Sequence, residues 1–176
     1  VLLVVPQVMV WTFALVWLMT DRGWSAAAAG TLVMAAQLCG AAGRIAAGRW
    51  SDVVGSRLRP VRTIALAASA TMGLLAVLDL LDSPWAVAVL LIASTVTVSD
   101  NGLAFTAIAE IAGPYWSGRA LGVQNTNQLF AAGLVPPMFG ALVGAAGFSA
   151  AFAVCALFPL VAAPLVPVRD DPMQAA

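Results

Sequence analysis

The sequence predicts an all-α membrane protein with six transmembrane helices, and three observations support this fold class. Charged residues make up 9% of the 176-residue chain and hydrophobic residues 62%, whereas an ordinary soluble domain has about 25% charged residues. Six apolar runs are each long enough to cross a bilayer, which needs about 20 helical residues. Five of the eight basic residues fall between positions 44 and 62. Because an arginine in the lipid interior costs at least about 2.5 kcal/mol, this stretch is expected in a loop outside the membrane.

The boundaries of the six runs follow from capping and helix-breaking residues. Ser25 is suited to cap the second helix, and Asp82-Ser83-Pro84 ends the third. Gly113-Pro114 closes the fourth because proline lacks the backbone donor that a continuing helix needs, and a short turn at Gly147 precedes the sixth. We expect helices at about residues 1–20, 26–50, 61–81, 85–112, 117–145 and 150–168, in a single transmembrane domain that covers residues 1–176.

The placement of charge orients the bundle. In an alternating path, seven arginines fall at helix ends on one side of the membrane and Arg22 falls on the other, so the positive-inside rule assigns the first side to the cytoplasm. We expect an integral protein of the inner (plasma) membrane, with the arginine-rich loop and both chain ends in the cytoplasm. The seven residues are Arg44, Arg49, Arg57, Arg59, Arg62, Arg119 and Arg169.

Polar residues inside the spans predict a central cavity. Helix four carries four of them on one stripe, and helix five carries Gln124, Asn127 and Gln128 on one face. At about 1.5 Å per residue, Asp100 lies about 18 Å from the cytoplasmic end of its helix, near the bilayer centre, where a carboxylate indicates a functional site. The alternative is that the amides only hydrogen-bond helices together. The predicted cavity residues are Gln7, Trp11, Gln37, Ser94, Thr97, Asp100, Asn101, Gln124, Asn125, Asn127 and Gln128.

Helices three and six contain few polar residues and are expected to face lipid. The hydroxyl groups of Thr63, Ser69 and Thr71 in helix three are expected to use the carbonyls of their own helix. Helix six has nothing more polar than Cys155 before its end. Cys155 and Cys39 both lie in apolar runs, where cysteine acts as a small hydrophobic residue.

Small residues and prolines predict where helices approach and bend. Ala36, Gly40, Arg44 and Gly48 form one ridge on helix two, a surface that another helix can approach closely. Arg44 itself, with Glu110, is interpreted as a structural residue near the inner end of its helix, where its side chain reaches the interface or an opposite charge. Paired prolines at 136 and 137 are expected to kink helix five, where a gate could bend.

Composition excludes several classes of function. The chain contains no histidine, which excludes imidazole zinc sites and Ser-His-Asp triads within these residues. No nucleophile elbow, metal-ligand cluster or phosphate-binding glycine loop is present, so we expect neither an enzyme nor a cofactor or metal. Nucleic-acid binding is not indicated either, because membrane topology accounts for the arginines.

The loop between the second and third runs carries a family resemblance. It is similar to the signature loop of the major facilitator superfamily, of form Gly-x-x-x-Asp-Arg-x-Gly-Arg-Arg. Gly48, Asp52, Gly55 and Arg57 occupy matching positions, whereas Val53 and Ser56 stand where the family has arginines. Together with the spacing of the runs, this resembles the C-terminal six-helix half of such a transporter.

The resemblance implies a twelve-helix bundle in which this half pairs with an N-terminal half that is not in the sequence. The two halves would rock around a central site to alternate access. Asp52 would lie against a helix N-terminus of the other half, where an anion is favoured, and the Ser117-Gly118-Arg119 end of helix five would receive a reciprocal carboxylate. The sequence opens at Val1, with neither an initiator methionine nor a signal peptide. We therefore expect it to be part of a longer chain.

Two functional hypotheses remain open. The first is secondary active transport of a small organic solute, with protons as a candidate coupling ion because a buried carboxylate such as Asp100 tends to retain its proton. The second is a non-transporting membrane module, a scaffold or sensor, whose intramembrane polar residues only hold helices together. The arginine-only, alanine-rich composition is typical of a GC-rich bacterial genome.

Overall fold

The computed structural model describes residues 1–168, which form five α-helices. These described residues include no strand, which confirms the all-α class. Arg169, assigned above to the cytoplasmic side, lies outside the described range. The helices are α1 (Val4–Thr20), α2 (Ala26–Val54), α3 (Leu58–Leu80), α4 (Trp85–Val96) and α5 (Asn101–Leu165).

The prediction of six separate helices is not confirmed. The fourth predicted run is divided between α4 and the start of α5, and the fifth and sixth runs both lie within α5, which is 65 residues long. The helix α2 also continues to Val54, four residues beyond its predicted end. By length and composition, three stretches are able to cross a membrane, namely Ala26–Val54, Leu58–Leu80 and Trp85–Leu165, and α1 is a shorter apolar helix.

The interruption between α4 and α5, at residues 97–100, has a local cause. At Ser94, Thr95, Thr97 and Ser99 the side-chain hydroxyl donates to the carbonyl oxygen four residues earlier, at 2.7 to 3.0 Å. Such back-bonding competes with the helical ladder and bends helices. Two of these residues, Ser94 and Thr97, were predicted to line the cavity. Their hydroxyl groups bond within the helix instead and contribute to the end of α4.

Two glycines divide α5 into three segments, α5a (101–112), α5b (114–146) and α5c (148–165). Gly113 has φ 70° and ψ 175°, and Gly147 has φ 82° and ψ 175°, in a region that is essentially restricted to glycine. The chain folds back at Gly147: the rings of Phe139 and Phe158 are centred 6.2 Å apart, whereas 19 residues of straight helix would span about 28 Å. Two prolines, 136 and 137, lie inside α5b without a non-helical residue there, and the kink expected at them stays a prediction.

The main apolar core joins α1, α3, α4 and α5c. Trp17 and Phe152 lie at its centre, 0% and 1% exposed, with their rings in an edge-to-face contact at 5.9 Å. The outer faces of α3 and α5c expose leucine and valine side chains, among them Leu74 and Leu157. An apolar exposed face is what a lipid-facing helix requires. We call the end of the bundle with Gly55 the loop end, and the end with Gly23 the far end.

The turn at Gly147 provides a test of this fold. An alanine there would meet no atom within 4 Å, so its cost comes from the positive φ alone. We expect Gly147→Ala to lower the free energy of unfolding by about 1 to 3 kcal/mol. Gly144→Ala, one turn earlier and equally open, should be neutral or stabilising by up to about 1 kcal/mol. Thermal unfolding of both variants in detergent is the measurement, and equal midpoints would contradict the turn.

Candidate functional site

A polar groove lies between α1, α2, α5a and α5b. It has a volume of about 560 Å³ and is open on one side. Its walls are otherwise apolar, with Val4, Phe105 and Leu129 among them. Because the groove is open, a solute within it would contact these four elements on one side only. The polar, charged and tryptophan residues that line it are Gln7, Trp11, Arg44, Asn101, Asn125 and Gln128.

One hydrogen bond joins two of the groove's amides across the bundle. Asn101 Nδ2 donates to Gln7 Oε1 at 2.9 Å, and the Gln7 residue is 4% exposed. Since amides in an apolar interior need partners, this bond fixes α1 against the start of α5a. The sequence analysis placed both residues at the cavity, and the structure brings them together, 94 positions apart in the chain.

Arg44 lies at the helix interruption, which corrects its sequence interpretation. Its Nε donates to the carbonyl oxygen of Val98 at 3.3 Å, one of the carbonyls that lose their helical partner where α4 ends. The ten residues from Arg44 to the end of α2 at Val54 correspond to about 15 Å of helix. Arg44 is therefore far from the inner helix end where we had placed it, and it lines the groove.

The close approach of α2 to α4 explains how Arg44 reaches Val98. A Cβ added at Gly43 would lie 2.7 Å from Ser99 Oγ, and one added at Gly40 would lie 3.0 Å from Val98 Cγ2. The small-residue surface predicted on α2 is thus occupied by the interrupted end of α4. The residues of α2 that make this contact differ in part from the predicted ridge. Gly43 lies off that ridge, and a Cβ added at Gly48 would meet nothing within 4 Å.

Several predicted cavity residues lie elsewhere. Gln37 and Ser94 line a small pocket of about 20 Å³ with Trp11, between α1, α2 and α4. Thr97 and Asp100 are buried, 2% and 4% exposed, behind the groove rather than in its wall.

The amides of α5b line two different pockets, and their shared role in one cavity stays a prediction. Asn125 and Gln128 line the groove, whereas Gln124 and Asn127 line a separate surface pocket with Trp116. Around the helix, Gln128 lies about 40° from Gln124 and about 60° from Asn125, so it stands between the two and lines the groove side. Asn127 Nδ2 donates to the carbonyl of its own helix at Val123.

The signature loop forms a compact charged cluster at the loop end. Arg57 pairs with Asp52 at 2.6 Å and with Glu110 at 3.4 Å, and its Nη1 donates to Ser51 Oγ at 2.7 Å. Gly55 ends α2 with φ 61° and ψ 38°, a left-handed conformation that favours glycine. Partial burial lowers the pKa of Arg57, but its bonds to Asp52 and the charge of Glu110 raise it, and the net pKa is above its ordinary value.

Arg119 lies at the same end, apart from this cluster. Its guanidinium carbon is 4.8 Å from the centre of the Trp116 ring, a cation–π contact. Its expected role as a receiver of a carboxylate from another half stays a prediction.

A second charged cluster, at the far end, was missed by the sequence analysis. Asp79 Oδ1 accepts from Arg22 Nη2 at 2.6 Å and from Trp17 Nε1 at 2.8 Å, and Ser149 Oγ donates to its Oδ2 at 2.6 Å. The Arg22 and Asp79 side chains are 9% and 5% exposed. Helix α3 was expected to contain only weakly polar residues, and Asp79 corrects that expectation. We call these four residues the far-end network; it joins α1, α3 and α5c.

The outcome for the hydroxyls of α3 is mixed. Thr63 and Thr71 donate to carbonyls of their own helix, as expected, but Ser69 Oγ donates to Ala156 of α5c at 2.9 Å. Of the two cysteines, Cys155 is buried and Cys39 is exposed. The sequence contained a signal for the far-end network. Asp79 is a carboxylate inside an apolar run, three residues before Asp82, and Arg22 is isolated from the other arginines.

These features define a class of protein before they define a family. Long apolar helices, apolar outer faces and a polar groove between helices describe an integral membrane protein. The chain belongs to the major facilitator superfamily. The family model described as Major Facilitator Superfamily matches residues 7–175. This confirms the family that the loop resembles.

Two curated relatives carry the same family description. Both are named as uncharacterised MFS-type transporters of Mycobacterium tuberculosis, one from strain H37Rv and one from strain CDC 1551, and each is 56% identical over 168 residues. The alignments cover 96% of this chain and 38% of each relative. The chain thus spans less than half the length of these relatives. No solved structure matches it.

The far-end network makes a prediction for stability. Asp79→Asn leaves the buried Arg22 without its closest counter-charge, and breaking a buried pair costs about 3 to 5 kcal/mol. Asp82 also bonds Arg22, at 2.9 Å, but its side chain is 91% exposed, so Asp82→Asn should cost at most about 1 kcal/mol. Denaturant unfolding in detergent micelles compares the two variants.

A double-mutant cycle completes that comparison. Arg22→Gln combined with Asp79→Asn should be less destabilising than the sum of the single changes, because the double variant leaves no charge unpaired. Equal losses of stability for Asp79→Asn and Asp82→Asn, with no coupling to Arg22, would show that the network does not hold the far end together.

Proposed function

We propose that the chain forms the C-terminal half of a secondary transporter that moves a small organic solute by alternating access. The single observation that carries this proposal is the open polar groove, whose amides lie between apolar helices. A second six-helix half would close its open side. Family membership supports the general class, and the substrate and mechanism belong to the proposal.

The position of the groove supports a role in solute binding. Asn125 lies 11 residues from Pro114, at the start of α5b, which corresponds to about 16 Å of helix and places it near the middle of the bilayer. Transporter sites near the midplane are typically formed where helices are interrupted, and the interruption at 97–100 ends beside the groove at Asn101. Amide side chains offer donors and acceptors to hydroxyl, carbonyl or carboxylate groups of a solute.

The orientation of the bundle is part of the proposal. We assign the loop end to the cytoplasmic side of the inner membrane and the far end to the opposite side, following the arginine distribution. The Asp52 side chain is 65% exposed although it is paired with Arg57. It therefore remains accessible to a helix N-terminus of the other half, as the contact implied by the family resemblance requires.

The alternative, a scaffold or sensor, is favoured by one observation. The Gln7–Asn101 bond satisfies two of the groove's amides between helices, which is how polar residues hold membrane helices together. The alternative requires that the groove never fill with water, and the two functions differ on this point.

Cysteine accessibility therefore tests the proposal. We expect a cysteine at Asn125 in the full-length protein to react with a membrane-impermeant thiol reagent both in whole cells and in inside-out vesicles, because an alternating groove opens to each side in turn. Leu157→Cys is the matched control: Leu157 is 54% exposed on the apolar face of α5c and should react from neither side. Exposed Cys39 is first replaced by serine.

The outcomes separate the two functions. Reaction of the cysteine at 125 from both sides supports a transporter. No reaction from either side, with a folded and monodisperse protein, would support the scaffold or sensor and overturn the transport proposal.

Coupling to protons makes a further prediction at Asp100. This carboxylate is 4% exposed at the interruption and is the candidate coupling group. We expect an imposed pH gradient across proteoliposomes to change severalfold the ratio of inward to outward labelling at position 125, because protonation shifts the two-state equilibrium. Asp100→Asn should abolish this response and leave labelling itself intact. A response that survives in Asp100→Asn would remove Asp100 from the coupling mechanism.

A further inference from the structure

The charge of the groove is carried by one residue. Within residues 1–168, the only charged residue in the wall of the groove is Arg44, and the remaining lining residues are amides, aromatic residues or aliphatic residues. A solute in the groove would therefore meet a positive group on this half of the protein. No comparison assigns a role to Arg44.

The hydrogen bonding of Arg44 leaves donors for a ligand. Its Nε donates to Val98, and the two Nη groups make no hydrogen bond to the described residues. A guanidinium has five N–H donors in a planar fork, and the Nη side of that fork matches the two oxygens of a carboxylate or phosphate. The bond to Val98 holds the guanidinium at the interruption, so that its position does not depend on the ligand.

The start of α5a adds a second, independent source of positive potential. Asn101 and Gly102, its first two residues, line the groove. The preceding residue, Asp100, makes no side-chain cap bond to the helix. The first N–H groups of a helix lack helical partners and carry a partial positive charge, which is why anions bind at helix N-termini. Gly102 has open space where a side chain would be, so the backbone is accessible there.

Asp100, the acidic residue that precedes α5a, does not face the groove. Asp100 is 4% exposed and is absent from the groove wall. A solute in the groove would therefore contact Arg44, whereas other protein atoms would separate it from Asp100.

We propose that the groove binds the anionic oxygen group of an organic solute at Arg44 and the N-terminus of α5a, while Asn125 and Gln128 bind its uncharged polar part. The solute class is thus an organic anion with hydrogen-bonding substituents. This inference rests on the proposed transport function, because it requires a water-filled groove.

The test measures the electrostatic preference of the groove without knowledge of the substrate. The full-length protein carries Asn125→Cys in a background without other reactive cysteines. Its rate constants are measured with three methanethiosulfonate reagents that carry a sulfonate, a trimethylammonium or an uncharged methyl group. We expect Arg44→Gln to lower the ratio of the sulfonate rate to the trimethylammonium rate by about tenfold, because a unit charge has been removed near the thiol. Arg44→Lys retains the charge and should retain the ratio.

Each outcome has a separate meaning. A lower ratio in Arg44→Gln, with an unchanged rate for the uncharged reagent, supports the anion site and excludes a general loss of structure. A ratio that is the same in all three proteins would overturn the anion site and leave the transport function standing. Failure of the cysteine to react with any reagent would overturn the transport function and the anion site together.

Discussion

The structure depends on one constraint: polar groups within a bilayer, and charged groups partly removed from water at its edges, need partners within the protein, because hydrocarbon offers none. Three places show how this chain meets it. Asp79 accepts three hydrogen bonds at the far end, and Arg57 holds two carboxylates at the loop end. At the helix interruption, Arg44 bonds a carbonyl that the end of α4 has left free.

The three places differ in how completely they are satisfied, and this difference separates support from function. The carboxylate of Asp79 is fully engaged and joins α1, α3 and α5c, so the far end is held as one unit; one buried atom there, Arg22 Nε, has no partner among the described residues. In the groove, by contrast, Arg44 and Asn125 keep donors exposed to the open side. Unused donors at mid-depth are expensive unless water or a solute reaches them, and this supports the solute binding proposed for that region.

Sequence reasoning predicted the helical class, the family and the loop, because hydropathy, the arginine distribution and the spacing of Asp52, Gly55 and Arg57 are local signals. It failed where tertiary packing decides. Arg44 was interpreted from its position in the second apolar run as a residue near a helix end, and only the approach of α4 over Gly43 shows that it meets a broken helix. Asp79 was overlooked because its partners lie 57 to 70 positions away. The amides of α5b were grouped by their common face, and only the packing of the neighbouring helices places Gln128 at the groove and Gln124 at another pocket.

The central claim is that water fills the groove beside the interruption between α4 and α5. Hydrogen–deuterium exchange of the full-length protein in lipid nanodiscs tests it most directly, since exchange requires both an open amide and access to water. The account predicts that the amides of Asn101 and Gly102, which line the groove, exchange about a hundredfold faster than those of residues 64–76 in the middle of α3. Equal and complete protection of both stretches would contradict the account and indicate a dry bundle in which the polar residues only join helices.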